Sequence, residues 1–208
     1  IKIMDTNVRF KNWKGVKFTL TITDPVQIEK FYQSQIKFNG KVNTNDVIRL
    51  NFICTHNSRR SHLSQIWAQT MAFQFGIKNV FCYSGGTEAT AMFTKVGETL
   101  VNQGFEIQQL SENENPVYAI KFSDNEPPII AFSKTYFNAF NPKTNFGAIM
   151  TCNNADEGCP MVFGAEARFS IKYDDPKAFD GTEVMSEKYT ERSLEIASEM
   201  YYVFNQIK

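Results

Sequence analysis

The chain has 208 residues, enough for one ordinary α/β domain with a modest extension. Its 22 basic and 22 acidic side chains cancel, which argues against a nucleic-acid partner or an acidic membrane surface as partner. No stretch approaches about eighteen apolar residues, and the first residues hold no apolar leader, so we expect neither a membrane span nor a secretion signal. The four cysteines are therefore expected to be reduced thiols in the cytoplasm.

From residue 47 onward, strand patterns and helix patterns alternate along the chain. The strands are short, mostly apolar runs of the kind buried in parallel sheets, and they are predicted at 47–53, 79–84, 146–150 and 169–173. The helices show apolar side chains at helical spacing and are predicted at 63–76, 93–103 and 186–207. This alternation predicts an α/β fold with a parallel, doubly wound sheet.

Residues 1–45 do not follow this alternation. They hold a possible strand at 16–23 and a possible helix at 25–35. We expect them to form an N-terminal extension packed on a main domain of residues 46–208.

A second irregular region lies at about 107–133. Two predicted strands, 117–122 and 129–132, flank a turn-rich stretch that includes two consecutive prolines. This pattern predicts a hairpin-like insertion in the main domain.

The segment that joins the first predicted strand to the first predicted helix carries the clearest chemistry, starting at Cys54. Backbone N–H groups in such a loop, aided by the helix N-terminus, can point at an anion and can also stabilise a thiolate at Cys54. Arg60 can offer two parallel N–H bonds to a tetrahedral oxyanion. The loop therefore predicts a thiolate nucleophile in a cradle for phosphate or a phosphate mimic. The predicted oxyanion-binding residues are Thr55, His56, Asn57, Ser58, Arg59, Arg60 and Ser61.

Two further residues of this loop suit the same interpretation. Ser61 can donate a hydrogen bond to the thiolate or cap the helix, and Asn57 tolerates a left-handed backbone. In the alternative interpretation, Cys54 is a buried thiol at a strand end and Arg60 is a solvated helix residue. We favour the catalytic interpretation because four residue types fall where the chemistry needs them.

The stretch 52–61, followed by Trp67 and by the sequence YSGGTE at 83–88, resembles the active-site region of low-molecular-weight protein tyrosine phosphatases. It is closer still to the thioredoxin-coupled arsenate reductases built on that fold. His56 stands where the family usually has glycine, and Arg59 stands where it often has cysteine. Gln65 replaces a glutamate that helps some arsenate reductases bind potassium. We therefore predict no metal site, and the resemblance implies no other cofactor.

Cys152 and Cys159 follow the predicted strand at 146–150. Their spacing suits neither a CxxC redox turn nor a zinc knuckle, and by itself it is equally compatible with two core thiols or with a redox pair. The resemblance favours the redox pair, because the arsenate reductases of this family have such a Cys-x6-Cys-Pro segment. A pair that closes across this spacing requires motion, so we expect the stretch 152–160 to be mobile.

The resemblance also implies a role for Asp175, which precedes Pro176 where the family places its acid–base aspartate. Without that resemblance, Asp175 is a surface-turn residue. Cys82 lies within an apolar strand and is expected to pack in the core. His56 and His62 border the loop and are expected at most to tune it.

The function that the resemblance implies is arsenate reduction by a relay of Cys54, Cys152 and Cys159, with Arg60 and Asp175 assisting. The substrate would be arsenate or a phosphate-type oxyanion, and thioredoxin or another thiol reductant would regenerate the enzyme. The alternative is a phosphatase that uses Cys54, Arg60 and Asp175 on phosphomonoesters. A third alternative is an anion-binding protein without turnover, in which the extension or the insertion covers the site.

Overall fold

The site-bearing part of the protein is a parallel sheet with helices packed on it. The computed structural model describes residues 8–11, 17–20, 46–159 and 161–207. Within these ranges the strands are β1 (Val8–Lys11), β2 (Lys17–Leu20), β3 (Ile48–Cys54), β4 (Val80–Gly86), β5 (Glu106–Gln109), β6 (Tyr118–Lys121), β7 (Ile129–Ala131), β8 (Phe146–Met150) and β9 (Ala165–Ser170). The helices are α1 (Arg60–Gln74), α2 (Thr94–Asn102), α3 (Asn153–Gly158) and α4 (Met185–Asn205), with a 3-10 turn at Pro176–Phe179.

The main sheet has the strand order β4-β3-β8-β9, and every neighbouring pair in it is parallel. β3 and β8 are central and almost wholly buried, which explains their continuous apolar sequences. Because the strands are parallel, their carboxyl ends meet at one edge, where Cys54 pairs with Gly86 and Ile53 pairs with Met150. The segments that follow β3 and β8 are therefore neighbours.

The core between the sheet and the helices is built around α1. Trp67 of this helix is fully buried and meets the ring of Phe105 edge-on, with 5.1 Å between the ring centroids. Its indole N–H donates to the Ser193 hydroxyl of α4 at 2.9 Å, so the ring's polar atom is satisfied although it is buried. This packing holds the N-terminal end of α1, and hence the loop before it, against the sheet.

Four predicted strands correspond to β3, β4, β8 and β9, and the first three agree closely with the prediction. The last one was misplaced, since β9 covers Ala165–Ser170 and not 169–173. β9 is an edge strand with half-exposed side chains, so its apolar signal is weak. The stronger pattern came from Ile171 and Tyr173, which are buried just beyond the strand. Their N–H groups still donate to the carbonyl oxygens of Met150, the last residue of β8, and of Thr151, which follows it.

The predicted hairpin is present as β6 and β7, which pair antiparallel. The sequence prediction missed β5, which adds a third antiparallel strand beside β6. β5 is mostly polar and exposed, so it lacks the apolar alternation by which strands are recognised. The small sheet meets the main one through Gln65, whose amide donates to the carbonyl oxygens of Cys82 and Ile130.

Near the N-terminus, β1 and β2 form an antiparallel pair, and β2 lies inside the predicted strand at 16–23. The helix predicted at 25–35 lies outside the described residues. In the part of the chain that the structure describes, no helix combines the length and the hydropathy that a membrane crossing requires.

Candidate active site

Cys54 is the last residue of β3, and its side chain is buried at 3% exposure. Its sulfur lies 3.1 Å from the Ser61 hydroxyl, which in turn accepts a 2.8 Å hydrogen bond from the Asn57 side-chain amide. Because the Ser61 oxygen accepts from the amide, its own hydrogen is free to donate to the sulfur.

The loop after Cys54 holds its curvature through Asn57, whose φ of 46° lies in the left-handed region that asparagine tolerates. The Asn57 side-chain oxygen accepts a 2.9 Å bond from the Lys134 backbone N–H. The loop also approaches the end of β4 closely. A Cβ on Gly86 would lie 2.6 Å from the Thr55 oxygen and 2.7 Å from the Asn57 nitrogen, so only glycine fits there.

The carbonyl oxygens of the loop are bonded to the segments around it. Those of Cys54 and Thr55 accept from the N–H groups of Thr87 and Glu88, at 3.1 and 2.8 Å. The Ser58 oxygen accepts from the Phe93 N–H at 3.0 Å. With its carbonyl oxygens engaged outward, the loop can turn its N–H groups towards a bound anion.

Arg60 and Asp175 are brought together although 115 positions separate them. The Arg60 guanidinium donates to the Asp175 carboxylate at 2.6 Å and to the Tyr173 carbonyl at 3.0 Å. Its Nε–H is buried and has no hydrogen-bond partner among the described residues. Asp175 also accepts from the Lys177 N–H at 3.1 Å and so caps the 3-10 turn. An unpaired buried donor beside the loop is what an incoming oxyanion would satisfy.

Asp174 is placed differently from its neighbour. Its side chain is fully exposed and its nearest cation is Arg192, at 3.6 Å. Of these adjacent aspartates, Asp175 is therefore the one beside the loop.

Cys152 is buried at 1% exposure, directly after β8, and belongs to the same apolar cluster as Cys54. Its sulfur lies 3.4 Å from the Thr55 hydroxyl and accepts from the Ala155 N–H, which caps α3. A second thiol thus touches the residue next to Cys54.

Cys159 lies at the opposite end of α3, partly exposed, and packs with Tyr136 on the same apolar cluster. Two residues seven positions apart on a helix have Cα atoms about 10 Å apart, whereas a disulfide requires a Cα–Cα distance below about 7 Å. Cys152 and Cys159 can therefore pair only if α3 unwinds. All four cysteines are free thiols in this state.

The Arg59 side chain is engaged away from the loop, in a group that we call the Arg59 clamp: Arg59, Asp180, Tyr189 and Phe93. Its guanidinium donates to Tyr189 and to Asp180, each at 2.6 Å, and stacks 4.1 Å above the Phe93 ring. Only the backbone of Arg59 is left to bind an oxyanion. The His56 side chain is also peripheral, half-exposed and 3.6 Å from the Glu88 carboxylate.

Lys134 is a site residue that the sequence analysis missed. Its side chain is buried at 2% exposure, with the ammonium bonded to the Phe132 carbonyl at 3.1 Å and lying 4.4 Å from the Phe132 ring centre. Burial lowers the pKa of Lys134 to about 7. Its backbone holds both Asn57 and Gly86. The position of Lys134 within the mostly apolar stretch 129–137 was the one feature of the sequence that indicated its burial.

His62 is fully buried beneath the loop, 3.3 Å from the Ser84 hydroxyl. Burial, and then the charge of Lys134, lower the pKa of His62 to about 3, so this imidazole is neutral at physiological pH. Cys82 is buried in the core, as predicted, and burial raises the pKa of its thiol.

Among the described residues, no group of three or more His, Cys, Asp or Glu side chains could hold a metal ion. A cavity of about 560 Å³ lies between the segment 174–179 and α4, beside Asp175. None of its lining residues belongs to the loop 54–61, so we place the chemistry at the loop and not in this cavity.

Comparison with known proteins gave matches only among solved structures, since no family model and no curated protein matches the chain. A low-molecular-weight protein tyrosine phosphatase from Bacillus subtilis aligns with a TM-score of 0.52 and 14% identity, over 76% of this chain and 96% of that one. An arsenate reductase in the phosphate-binding state aligns with a TM-score of 0.50 and 14% identity, over 78% and 100%. A YwlE mutant from Bacillus subtilis aligns with a TM-score of 0.50 and 14% identity, over 76% of this chain and 97% of that one. The chain therefore has the fold shared by low-molecular-weight phosphatases and arsenate reductases.

Proposed function

We propose that this protein is an arsenate reductase that works by a three-thiol relay and is regenerated by thioredoxin or a similar thiol reductant. The observation that carries the proposal is the position of Cys152. A second buried thiol lies in the apolar cluster of Cys54 and touches Thr55, and a third follows across a six-residue helix. Phosphate ester hydrolysis needs neither of these two thiols.

In the first step, the Cys54 thiolate attacks the arsenic atom of arsenate, and a sulfur–arsenic bond forms. The loop N–H groups and the Arg60 guanidinium hold the oxyanion, which offers the unpaired Nε–H an acceptor. Asp175 acts as the general acid that passes a proton to the departing oxygen, which leaves as water. The hydrogen bond between Arg60 and Asp175 holds both side chains beside the loop for this step.

In the second step, the Cys152 thiolate attacks the Cys54 sulfur. The sulfur–arsenic bond breaks and its electron pair stays on arsenic, which leaves as arsenite, while a Cys54–Cys152 disulfide forms. The Cys159 thiolate then attacks the Cys152 sulfur, which releases Cys54 as a thiolate. This last step requires α3 to unwind, because the intact helix keeps the two sulfurs apart. A reductant must then reduce the Cys152–Cys159 disulfide, which suits a reducing compartment such as the cytoplasm.

The test is arsenate-dependent NADPH oxidation with thioredoxin and thioredoxin reductase, with aryl phosphate hydrolysis measured alongside. Cys54→Ser should abolish both activities. Cys152→Ser should stop arsenate turnover and spare phosphate hydrolysis. Cys82→Ser is the matched control, a buried thiol outside the relay, and should retain both. Equal loss of both activities in Cys152→Ser would contradict the relay.

The second candidate function is phosphomonoester hydrolysis. The arrangement of Cys54, Arg60 and Asp175 suffices for it, with Asp175 first as acid and then as base for the water that hydrolyses a phosphocysteine. Aryl phosphate hydrolysis by the wild type without arsenate turnover would establish this function and would leave Cys152 and Cys159 idle.

A further inference from the structure

Three large apolar side chains stand in solvent close to Cys159. Phe163 is 81% exposed, Met161 67% and Phe137 61%, more than any other large hydrophobic residue in the described ranges. Single exposed apolar residues are ordinary, but several on one surface mark an interaction site. We call Phe137, Met161 and Phe163 the Cys159 patch.

The Cys159 patch is supplied by two segments that touch each other. Tyr136 packs with Cys159 on one apolar cluster and meets the Phe137 ring edge-on, with 5.2 Å between ring centroids. The same cluster contains Val162, the residue between Met161 and Phe163. The segment 136–143 and the segment 161–164 therefore form one surface.

A second contact joins these segments at the far side of the patch. Gly164 follows Phe163 and lies so close to the Lys143 carbonyl that a Cβ there would come within 1.9 Å of its oxygen. The Lys143 ammonium is bonded to the Phe137 carbonyl. The three apolar side chains of the patch are thus anchored on one framework around Cys159.

We propose that the Cys159 patch is the docking surface for a protein reductant with an exposed dithiol. The inference rests on the proposed function, in which a Cys152–Cys159 disulfide is reduced in every turnover. Cys159 is partly exposed, whereas Cys54 and Cys152 are 3% and 1% exposed, so the reductant must reach the relay at Cys159. Met161 and Phe163 flank Val162, which belongs to the cluster on which Cys159 packs, so a protein that reaches this sulfur meets the patch beside it.

The chemistry at this surface is thiol–disulfide exchange. One thiolate of the reductant attacks the Cys159 sulfur, the Cys152–Cys159 bond breaks, and Cys152 leaves as a thiolate that takes a proton. The second thiolate of the reductant then attacks the reductant's first sulfur in the mixed disulfide, which forms the reductant's internal disulfide and releases Cys159 as a thiolate. Two electrons pass to this protein, and the reductant leaves as an internal disulfide.

A small dithiol can reach Cys159 without touching the patch, and this difference provides the test. The triple variant F137A/M161A/F163A is oxidised with diamide, and the rate of disulfide reduction is measured with thioredoxin and with dithiothreitol. We expect the rate constant with thioredoxin to fall about tenfold and that with dithiothreitol to stay unchanged. Val101→Ala with Leu110→Ala is the matched control, since both side chains are 51% exposed elsewhere, and it should react like the wild type.

An unchanged rate with thioredoxin in the triple variant would overturn the docking proposal. An equal loss with both reductants would also overturn it, because the effect would then be on the disulfide itself. The measurement needs no arsenate. Failure of arsenate turnover in the wild type would therefore refute the proposed function separately from the docking surface.

Discussion

At the scale of single residues, the reactivity of Cys54 depends on a bond chain that lies wholly within one loop. The Asn57 amide orients the Ser61 hydroxyl, and that hydroxyl faces the sulfur. A hydrogen bond to a charged acceptor is stronger than one to a neutral acceptor. Ser61 should therefore stabilise the transition state in which this sulfur attacks or leaves.

We predict that Ser61→Ala lowers kcat about 10- to 100-fold for arsenate and for aryl phosphate alike, because one hydrogen bond to a charged sulfur contributes about 1.5–3 kcal/mol. Steady-state kinetics would measure this. Ser64→Ala is the matched control, since the Ser64 hydroxyl only donates to the Arg60 carbonyl one turn earlier. A kcat within twofold of the wild type in Ser61→Ala would refute the role of this hydroxyl.

His62 gives the protein a stability that depends on pH. Its pKa is about 3 in the folded chain and 6.5 ordinarily, because burial disfavours the imidazolium. Well above pH 6.5, His62 is neutral in both the folded and the unfolded chain. As the pH falls from 6.5 towards 3, His62 takes up a proton in the unfolded chain but not in the folded chain, so the free energy of unfolding decreases.

We predict that His62→Asn flattens this dependence. Between pH 7.5 and pH 5, the wild type should lose about 2 kcal/mol more of its free energy of unfolding than the variant loses. Urea denaturation at the two pH values measures both slopes, and the difference at pH 7.5 gives the packing cost of the substitution separately. Parallel slopes for the two proteins would contradict this explanation.

At the scale of elements, the Arg59 clamp connects the loop to the segment that carries Asp175. Asp180 lies five residues after Asp175 and binds both Arg59 and Tyr189, the latter at 2.6 Å. Tyr189 belongs to α4, so the clamp joins this helix to the start of α1. Its physical effect is to fix the distance between the segment 175–180 and the loop 54–61.

We predict that Asp180→Asn lowers kcat about five- to tenfold with little change in the KM for the oxyanion, because Asp175 loses its position while the loop keeps its shape. The variant should also lose about 2 kcal/mol of stability, since the largely buried Arg59 loses the negative charge of its carboxylate partner. Asp174→Asn, on a fully exposed side chain, is the control. A rise in KM at unchanged kcat would indicate that the clamp shapes the loop instead.

At the scale of the whole molecule, the site depends on the common edge of a parallel sheet. β3 delivers Cys54 there, β8 delivers Cys152, and β4 ends at Gly86 against the loop. The end of β4 must also contact the backbone of the loop 54–61. Gly86 is the residue of β4 that lies against this backbone, and it leaves no space for a side chain.

We predict that Gly86→Ala destabilises the protein by about 2–3 kcal/mol and nearly abolishes activity, because the added Cβ would meet three backbone atoms at 2.2–2.7 Å. Thermal unfolding and activity would be measured together. Gly158→Ala is the matched control, because its Cβ would find no atom within 4 Å. Normal stability and activity in Gly86→Ala would show that the loop is not packed against β4 as described.

The fold of the loop 54–61 could be predicted because strand, loop and helix are consecutive in the chain and each has a local pattern. Cys54, Asn57, Arg60 and Ser61 then follow at short spacings, and the parallel sheet predicts that the segment after β8 lies beside them. Residues whose environment comes from distant segments could not be predicted. Arg59 was assigned to oxyanion binding as part of the loop, yet its side chain meets Asp180 and Tyr189.

The amino-acid sequence by itself determined the order of the main strands and helices and the placement of Cys54 at a strand end before a helix, because apolar periodicity and turn residues act over a few positions. Only the tertiary structure decided the burial of Lys134, the separation of Cys152 from Cys159 by α3 and the exposure of the Cys159 patch. Burial and exposure depend on which segments fold over a residue. For Lys134 and Asn57 those segments are 77 positions apart, beyond the reach of any local pattern.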